Sequence, residues 1–575
     1  MRRLMSKRKG RVLPVKRLLG ASLTVCLALS MSSCGAKPLQ SQSDLSAPPS
    51  QASSDTEMGG VSAKGELPIV EEKIELNVVI SKNAAISDYE DNLLFNYLEE
   101  QTNIKVNLNV IPADDITQKI NLMLSSGQEM PDIFLSCLPM DLISNYADKD
   151  VFIPLNNYID SQSEYFLPLL EERPFVRNSI TMPDGNILAI HDSMPAGEQT
   201  EVATHSSVSG KMWINRTWLD ALNLEIPTTT EEFREVLRAF KENDPNGNGK
   251  NDEIPLIGAN KGGWDSFPEI FLANAFLPYD NDNLYYIDDD GKVQACYAQD
   301  EYRDALKYVN SLVQEGFIDP VTYTQDNAQL KQLVENDVPV VGVFATAASS
   351  MVVTPGTDRF KEYVAIPPLK GPEGAQYTKT RTWSTTKKPF TAITPAYKNP
   401  EAAFKWLDYW FSDDVSIRNK YGVEGTHWKK PVEGTLANNG LPAQIEIIEN
   451  LYTGDPQNIR SGNNFGYGER FMNYVVRSED PFEQERLYME ESQKYFPYVP
   501  EEKNYMKNYF YTPEDAQAMS EVNGTLISYV DEARVKFILG TLDVNDDAVW
   551  NSYLSDIEKI GYKTVTDIMQ ARKDQ

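Results

Sequence analysis

Between Ile74 and Leu135 the chain alternates strand, helix, strand, helix, strand, and no other feature of the sequence restricts the fold as much. IELNVVI (Ile74 to Ile80) and IKVNLNVI (Ile104 to Ile111) have the β-branched, apolar character of strands. Between them Ser87-Asp88-Tyr89-Glu90 has the form of a capping box, and Leu94, Tyr97 and Leu98 fall on one face of the helix that follows. A second helix begins near Asp115, carries Ile116, Ile120 and Met123 and stops at Gly127, after which PDIFL (Pro131 to Leu135) supplies a third strand. Strands joined by helical crossovers lie parallel, so the pattern predicts an α/β fold, a parallel sheet wrapped by helices.

The 575 residues, 41% hydrophobic and 10% aromatic, are enough for two or more substantial cores. Residues 1–33 are a separate matter. MRRLMSKRKGRVLPVKR is basic and acid-free, Leu18 to Leu29 is an apolar run too short to span a bilayer, and small residues follow, which predicts a signal peptide. Met31 to Cys34 (MSSC) resembles a bacterial lipobox, with Met31 where Leu is usual, so Cys34 is expected to carry the lipid; cleavage that leaves Cys34 a free thiol is the alternative. Residues 34–72, dominated by Ser, Gln, Pro, Gly and Ala, read as a flexible tether. Loss of the signal, with its 8 basic residues, leaves a net charge of about −38, which disfavours nucleic acid and anionic lipid surfaces as partners. Cys137 and Cys296 remain in the body, with a disulfide and two buried thiols equally open.

Further on, PDGNILAI (Pro183 to Ile190) reads as a turn and strand and KMWIN (Lys211 to Asn215) as a strand. Thr229-Thr230-Glu231-Glu232 caps a helix with Phe233, Val236, Leu237 and Phe240 at helical spacing. Trp213, Trp218, Trp406 and Trp410 fall on packing stripes and are expected in the core. Of 60 residues between Tyr452 and Tyr511, 14 are Tyr or Phe, which fits either a binding wall or the packing of an elaborated second lobe.

LSSGQEMPDIF, YADKDVFIPLNNYID, TMPDGNILAI, MWINRTWLDALNLEIPTTTEEFREVL, AFKENDPNGNGKNDEIPLIG, NSLVQEGFIDP, IPPLKGPEGAQY and YGVEGTHW follow one another in an order that resembles the extracellular solute-binding proteins of carbohydrate ABC transporters, in particular large lipid-anchored members and the related alginate-oligosaccharide binders. The resemblance implies a type II periplasmic-binding-protein-like fold over 73–575, two lobes joined by a hinge with a ligand cleft between them. Lobe 1 is expected at roughly 73–180 plus 335–400, and lobe 2 at roughly 181–334 plus 401–575. It also implies an oligosaccharide ligand, delivery to ABC permease subunits, a monomer, and a place on the extracellular face of the bacterial cell membrane, reached through the lipid anchor only.

DPNGNGKNDEIP (Asp244 to Pro255) offers calcium-type oxygens at EF-hand spacing: Asp244, Asn246, Asn248, the Lys250 carbonyl and Asp252 occupy positions one, three, five, seven and nine, with Gly249 at six. Position twelve, usually a bidentate Glu, is Pro255; in the resembling binders the acid corresponding to Glu253 completes the shell. A structural calcium ion is therefore expected, against a plain solvated turn.

Catalysis has little to draw on, since the three histidines (His191, His205, His427) form no known motif and Ser384 to Lys387 matches SxxK without its partner motifs. The expectation is a binder and not an enzyme; a secreted glycoside hydrolase or lyase, or a glycan-binding sensor or adhesin, is the alternative. Sugars are held on aromatic faces, and Trp264, Trp383 and Trp428, each among Gly, Thr and Ser, are the candidates for the cleft.

Overall fold

The computed structural model describes residues 60–83, 85–191, 208–381, 389–449, 457–466 and 468–574. The signal peptide, Cys34 and the tether up to residue 59 lie outside them.

In chain order the strands are β1 (Ile74–Ser81), β2 (Ile104–Ile111), β3 (Ile133–Leu138), β4 (Ile190–His191), β5 (Met212–Asn215), β6 (Ile254–Ile257), β7 (Tyr285–Ile287), β8 (Val293–Ala295), β9 (Val341–Ala345), β10 (Tyr363–Ala365), β11 (Phe390–Ile393), β12 (Trp428–Lys429) and β13 (Glu446–Ile447). The first sheet has the order β2-β1-β3-β11-β4. Its β1 runs parallel to β2, with Ile74 opposite Ile104, and parallel to β3, with Val78 opposite Ile133. All six residues of β3 are buried because strands flank it on both edges and helices cover it, whereas edge strand β2 alternates exposed and covered positions. The strand, helix, strand alternation is thus present as expected. One cap differs: the helix Leu93–Thr102 starts at Asn92, whose Oδ1 accepts from the Leu94 and Phe95 N–H groups, while Asp88 closes a turn by accepting from Glu90 and Asp91. The Glu90 N–H that Ser87 would have capped is taken by Asp88 instead.

The second sheet has the order β10-β5-β9-β6. Helix Thr230–Glu242, capped by Thr229 as its sequence indicates, presses Phe233, Val236, Leu237 and Phe240 into the core beneath that sheet. Each sheet has its own core, the first drawing on 69–190 and 390–415, the second on 208–369 and 487–569. This corrects the expected crossovers. β9 is buried at all five positions between β5 and β6, so 335–369 belongs to the second lobe, and helix Pro400–Tyr409 places Trp406 and Trp410 in the first. The tether also ends earlier than residue 72: Val61 bridges Val70, and Ile69 and Val70 are buried in the first core. Two adjacent aliphatics were enough to order that end of a polar segment.

Helix Pro513–Ile538 packs its start near Ser144 of the first lobe and buries Leu526, Val530 and Phe537 in the second. Val208 and Thr380 form an antiparallel bridge.

Candidate functional site

After β6 the chain makes a tight excursion, Gly258 to Ser266, that needs glycine at two points. A Cβ on Gly258 would stand 2.4 Å from the Ser266 carbonyl oxygen, and one on Gly263 would stand 2.0 Å from Ser266 Oγ. Asp265 itself sits at φ 53°, a left-handed conformation that Asp tolerates better than most residues and that is found where surrounding structure over-determines it. This loop, Asn281, Asp282 and Arg381 line a cavity of about 190 Å³. That is below the roughly 300–1,000 Å³ of a complete small-molecule site, as one wall of a larger cleft would be.

Lys379 organises the floor. Its Nζ donates to Asp265 Oδ1 at 2.8 Å, Asn281 Oδ1 at 2.7 Å and Asp282 Oδ2 at 2.7 Å, with Asp280 Oδ1 at 3.5 Å, and its side chain is 0% exposed. An ammonium removed from water is held charged only by such company, and although burial pushes Lys379 down, its three carboxylates keep it above the usual lysine range. Burial pushes Asp280 up. It also pushes Asp282 up, but Lys379 and Arg381 outweigh that and hold Asp282 below the usual carboxylate range. Arg381 pairs with Asp282 at 3.6 Å and lies 5.6 Å over the half-buried Trp264 ring, so the aromatic and the charges form one surface. Lys211, just before β5, donates to the Val208 carbonyl and is pushed down to about 7 by burial, against the opposing pull of Glu491 and Asp265.

The acidic loop lies past the end of helix Thr230–Glu242. Asp244 accepts from the Asn248 and Gly249 N–H groups, while the Asn246 and Asn248 side-chain amides converge on Asp252 at 3.2 and 2.9 Å. Both carboxylate oxygens of Glu253 are buried without a hydrogen-bond partner, and burial, then the charges of Asp244 and Asp252, push its pKa up. Among the described residues no three His, Cys, Asp or Glu side chains converge as a ready metal cage.

Of the three tryptophans expected at a cleft, Trp264 lies at the cavity, and Trp383 falls outside the described residues, as does the Ser384 to Lys387 match. Trp428 is a correction. It is 7% exposed, packs with Tyr421, Ile445, Phe471 and Val475 in a small separate core, and donates its indole N–H to the Gly422 carbonyl. Trp213, Trp218, Trp406 and Trp410 are in the cores as expected, and Cys137 and Cys296 are free thiols buried in different cores. In the aromatic-rich segment, Phe465, Phe471, Tyr488, Tyr495 and Phe510 are packing residues. Sequence reasoning missed Lys379, Asp265, Asn281, Asp282 and Arg381, which lie up to 116 positions apart and meet only in the fold. The one local signal was DND (Asp280 to Asp282) beside an aromatic Tyr279.

A chain with two sheets on separate cores, crossing between them more than once, with a polar and aromatic pocket against the second core, is a two-lobed α/β ligand-binding protein. It belongs to the bacterial extracellular solute-binding protein family, whose model matches residues 81–417. It is 29% identical over 567 residues, 97% of each chain, to the fructooligosaccharide ABC transporter substrate-binding protein FusA of Streptococcus pneumoniae serotype 4 (strain ATCC BAA-334 / TIGR4). It is 23% identical over 484 residues, 80% of this chain and 87% of the relative, to lipoprotein LipO of Bacillus subtilis (strain 168). Solved structures of S. pneumoniae FusA, one with kestose and one of an EF-hand mutant with fructo-nystose, superpose with TM-scores of 0.69 and 0.68 at 25% identity, each covering 87% of this chain and 99% of FusA.

Lys211 carries a pH signature. Folded, it is uncharged above about pH 7, whereas the unfolded chain keeps that proton to about 10.5, so between those limits the unfolded state binds more protons and stability rises with pH. Measured by urea unfolding, the stability of the native chain relative to Lys211→Met is expected to rise by up to about 1.4 kcal/mol per pH unit from pH 7 to 10. A difference that does not vary with pH would contradict the burial assigned to this ammonium.

Proposed function

We propose that this protein captures an oligosaccharide at the Trp264 pocket and delivers it to an ABC transporter permease. The observation that carries the reading is the half-buried indole of Trp264 beside a floor of fixed polar groups, the pairing that sugar recognition requires: an aromatic face for the apolar side of a ring, and planar acceptors for its hydroxyls. Asp265, Asp282 and Asn281 accept hydrogen bonds from sugar hydroxyls, Arg381 donates, and Lys379 fixes the floor before the ligand arrives, which lowers the ordering cost of binding. Closure of the lobes excludes water from the ligand. FusA, whose name gives it fructooligosaccharides, supports the substrate class.

The pocket reads as a binder and not a catalyst. Glycoside hydrolysis needs one carboxylic acid to give up a proton, and Asp265 and Asp282 are both committed as counter-ions to one ammonium. Trp264→Ala is expected to weaken binding of kestose or whichever oligosaccharide binds best by roughly 1–3 kcal/mol, ten- to a hundredfold, with little change in unfolding. Calorimetric titration beside a melting curve checks this, and normal binding by the variant, or product release from the sugar, would contradict it.

The Asp244 to Glu253 loop is read as a structural calcium site, with Asp244, Asn246, Asn248, the Lys250 carbonyl, Asp252 and Glu253 as ligands. The unpartnered, buried Glu253 carboxylate fits a cation, and the EF-hand named in FusA supports the assignment. A calcium ion there would offset two of the three carboxylate charges and fix the chain after the helix. Calcium at a hundred times its dissociation constant is expected to add about 2.7 kcal/mol of stability, and Glu253→Gln to weaken that response. A melting curve indifferent to calcium and to chelator leaves the loop a plain turn.

Cys34 is read as the diacylglycerol attachment point, holding a monomer at the extracellular face of the membrane, a reading to which the lipoprotein relative lends support. Cys34→Ser is expected to abolish incorporation of labelled palmitate, and retained label would refute the anchor.

A further inference from the structure

The turn Asp280 to Asn283 has a cavity on each side. Asn281 and Asp282 line the Trp264 pocket, while Asp280 and Asn283 line a second, narrower cavity whose lining also includes Thr378, Lys379, Tyr286 and Tyr505. The two adjoin, since Lys379 lines the second and grips Asn281 and Asp282 of the first, and Tyr505 is within electrostatic reach of Asp282 and Arg381. The second cavity is about 20 Å³, a little more than the roughly 10–15 Å³ that a water-sized group needs, so one hydroxyl fits and a sugar ring does not.

Two buried polar atoms at this cavity have unmet needs. Asn283 Nδ2 donates to the Met506 carbonyl at 2.6 Å, which leaves Oδ1 as an acceptor, and neither that oxygen nor Thr378 Oγ1 has a hydrogen-bond partner among the described residues. Their residues are 5% and 3% exposed, and polar atoms buried so deeply cost free energy until something pairs with them. A hydroxyl meets both needs at once, donating to Asn283 and accepting from Thr378. A carboxylate has no proton to give, and an ammonium has no lone pair to offer. Beside this notch Tyr286 and Tyr505 pair as antiparallel neighbours, which puts both side chains on one face, and both are partly exposed.

Resting on the oligosaccharide reading above, we propose that this second cavity is a further sugar subsite, taking one hydroxyl of the residue linked to the one in the Trp264 pocket. Asn283 Oδ1 accepts from that hydroxyl, Thr378 Oγ1 donates to it, and Tyr286 and Tyr505 back the apolar side of the same ring. The ligand thereby crosses the Asp280 to Asn283 turn, and recognition covers at least two linked sugar residues.

Calorimetry on the full chain in detergent, with whichever of kestose, maltotriose and xylotriose binds tightest, tests this beside a melting curve for each variant. Thr378→Val keeps the shape and removes the hydroxyl, and it is expected to weaken binding about tenfold, whereas Thr378→Ser, which keeps the hydroxyl, stays near the native affinity. A residue that only packs would show the reverse order, because valine fills its space better than serine. Tyr505→Ala is expected to weaken binding about tenfold as well. Where Thr378→Val fails to fold, Tyr505→Ala alone decides. Native affinity in Thr378→Val or in Tyr505→Ala, or a loss in Thr378→Ser equal to that in Thr378→Val, overturns the subsite while the oligosaccharide reading stands. Failure of all three sugars to bind the native chain overturns the oligosaccharide reading, and the subsite with it.

Discussion

The Lys379 ammonium is the interaction on which the pocket depends. It comes from the segment before Thr380, and it reaches two other segments, the Asp265 loop and the Asp280 to Asp282 turn. A buried cation cannot be left alone at a cost the fold could bear, so the three segments are fixed relative to one another as long as the ion pairs hold. Trp264 and Arg381 are placed by the same arrangement, one residue before Asp265 and two after Lys379. The pocket is thus preorganised from Lys379 outwards.

Behind the floor a second buried pair steadies the wall. Arg534 of the long bridging helix pairs with Glu269, on the short helix Pro268–Leu272 that continues the pocket loop, and its guanidinium lies 4.9 Å over the Phe267 ring. Since the same helix begins against the first lobe, the wall of the pocket and the junction between lobes share one rigid element. That is the coupling a binding protein needs if ligand at one lobe is to favour closure against the other.

Much of the fold was legible because it is local. The β1 to β3 alternation, the Thr229 cap, the Gly127 stop and the core tryptophans each follow from periodicity or a terminal residue, and all appear where the sequence places them. What failed was decided at long range. Trp428 sits in loop composition yet is covered by Tyr421, Ile445 and Phe471, which come from both sides of it in sequence. The apolar run at Val341 to Ala345 reads equally well in either sheet, and only pairing with β5 and β6 settles that it belongs to the second. Lys379 could not be found at all, because a lysine among threonines (TKT) looks solvated until three acids from 97 to 114 positions away close around it.

The central claim is that ligand is held at this floor. Hydrogen–deuterium exchange with and without saturating oligosaccharide tests it most directly, because local protection reports where backbone opening is suppressed. Protection concentrated at Asn260 to Ser266, Asp280 to Asn283 and Thr378 to Arg381 is the outcome this account predicts. Saturating ligand that protects other segments while leaving these three unchanged would contradict it.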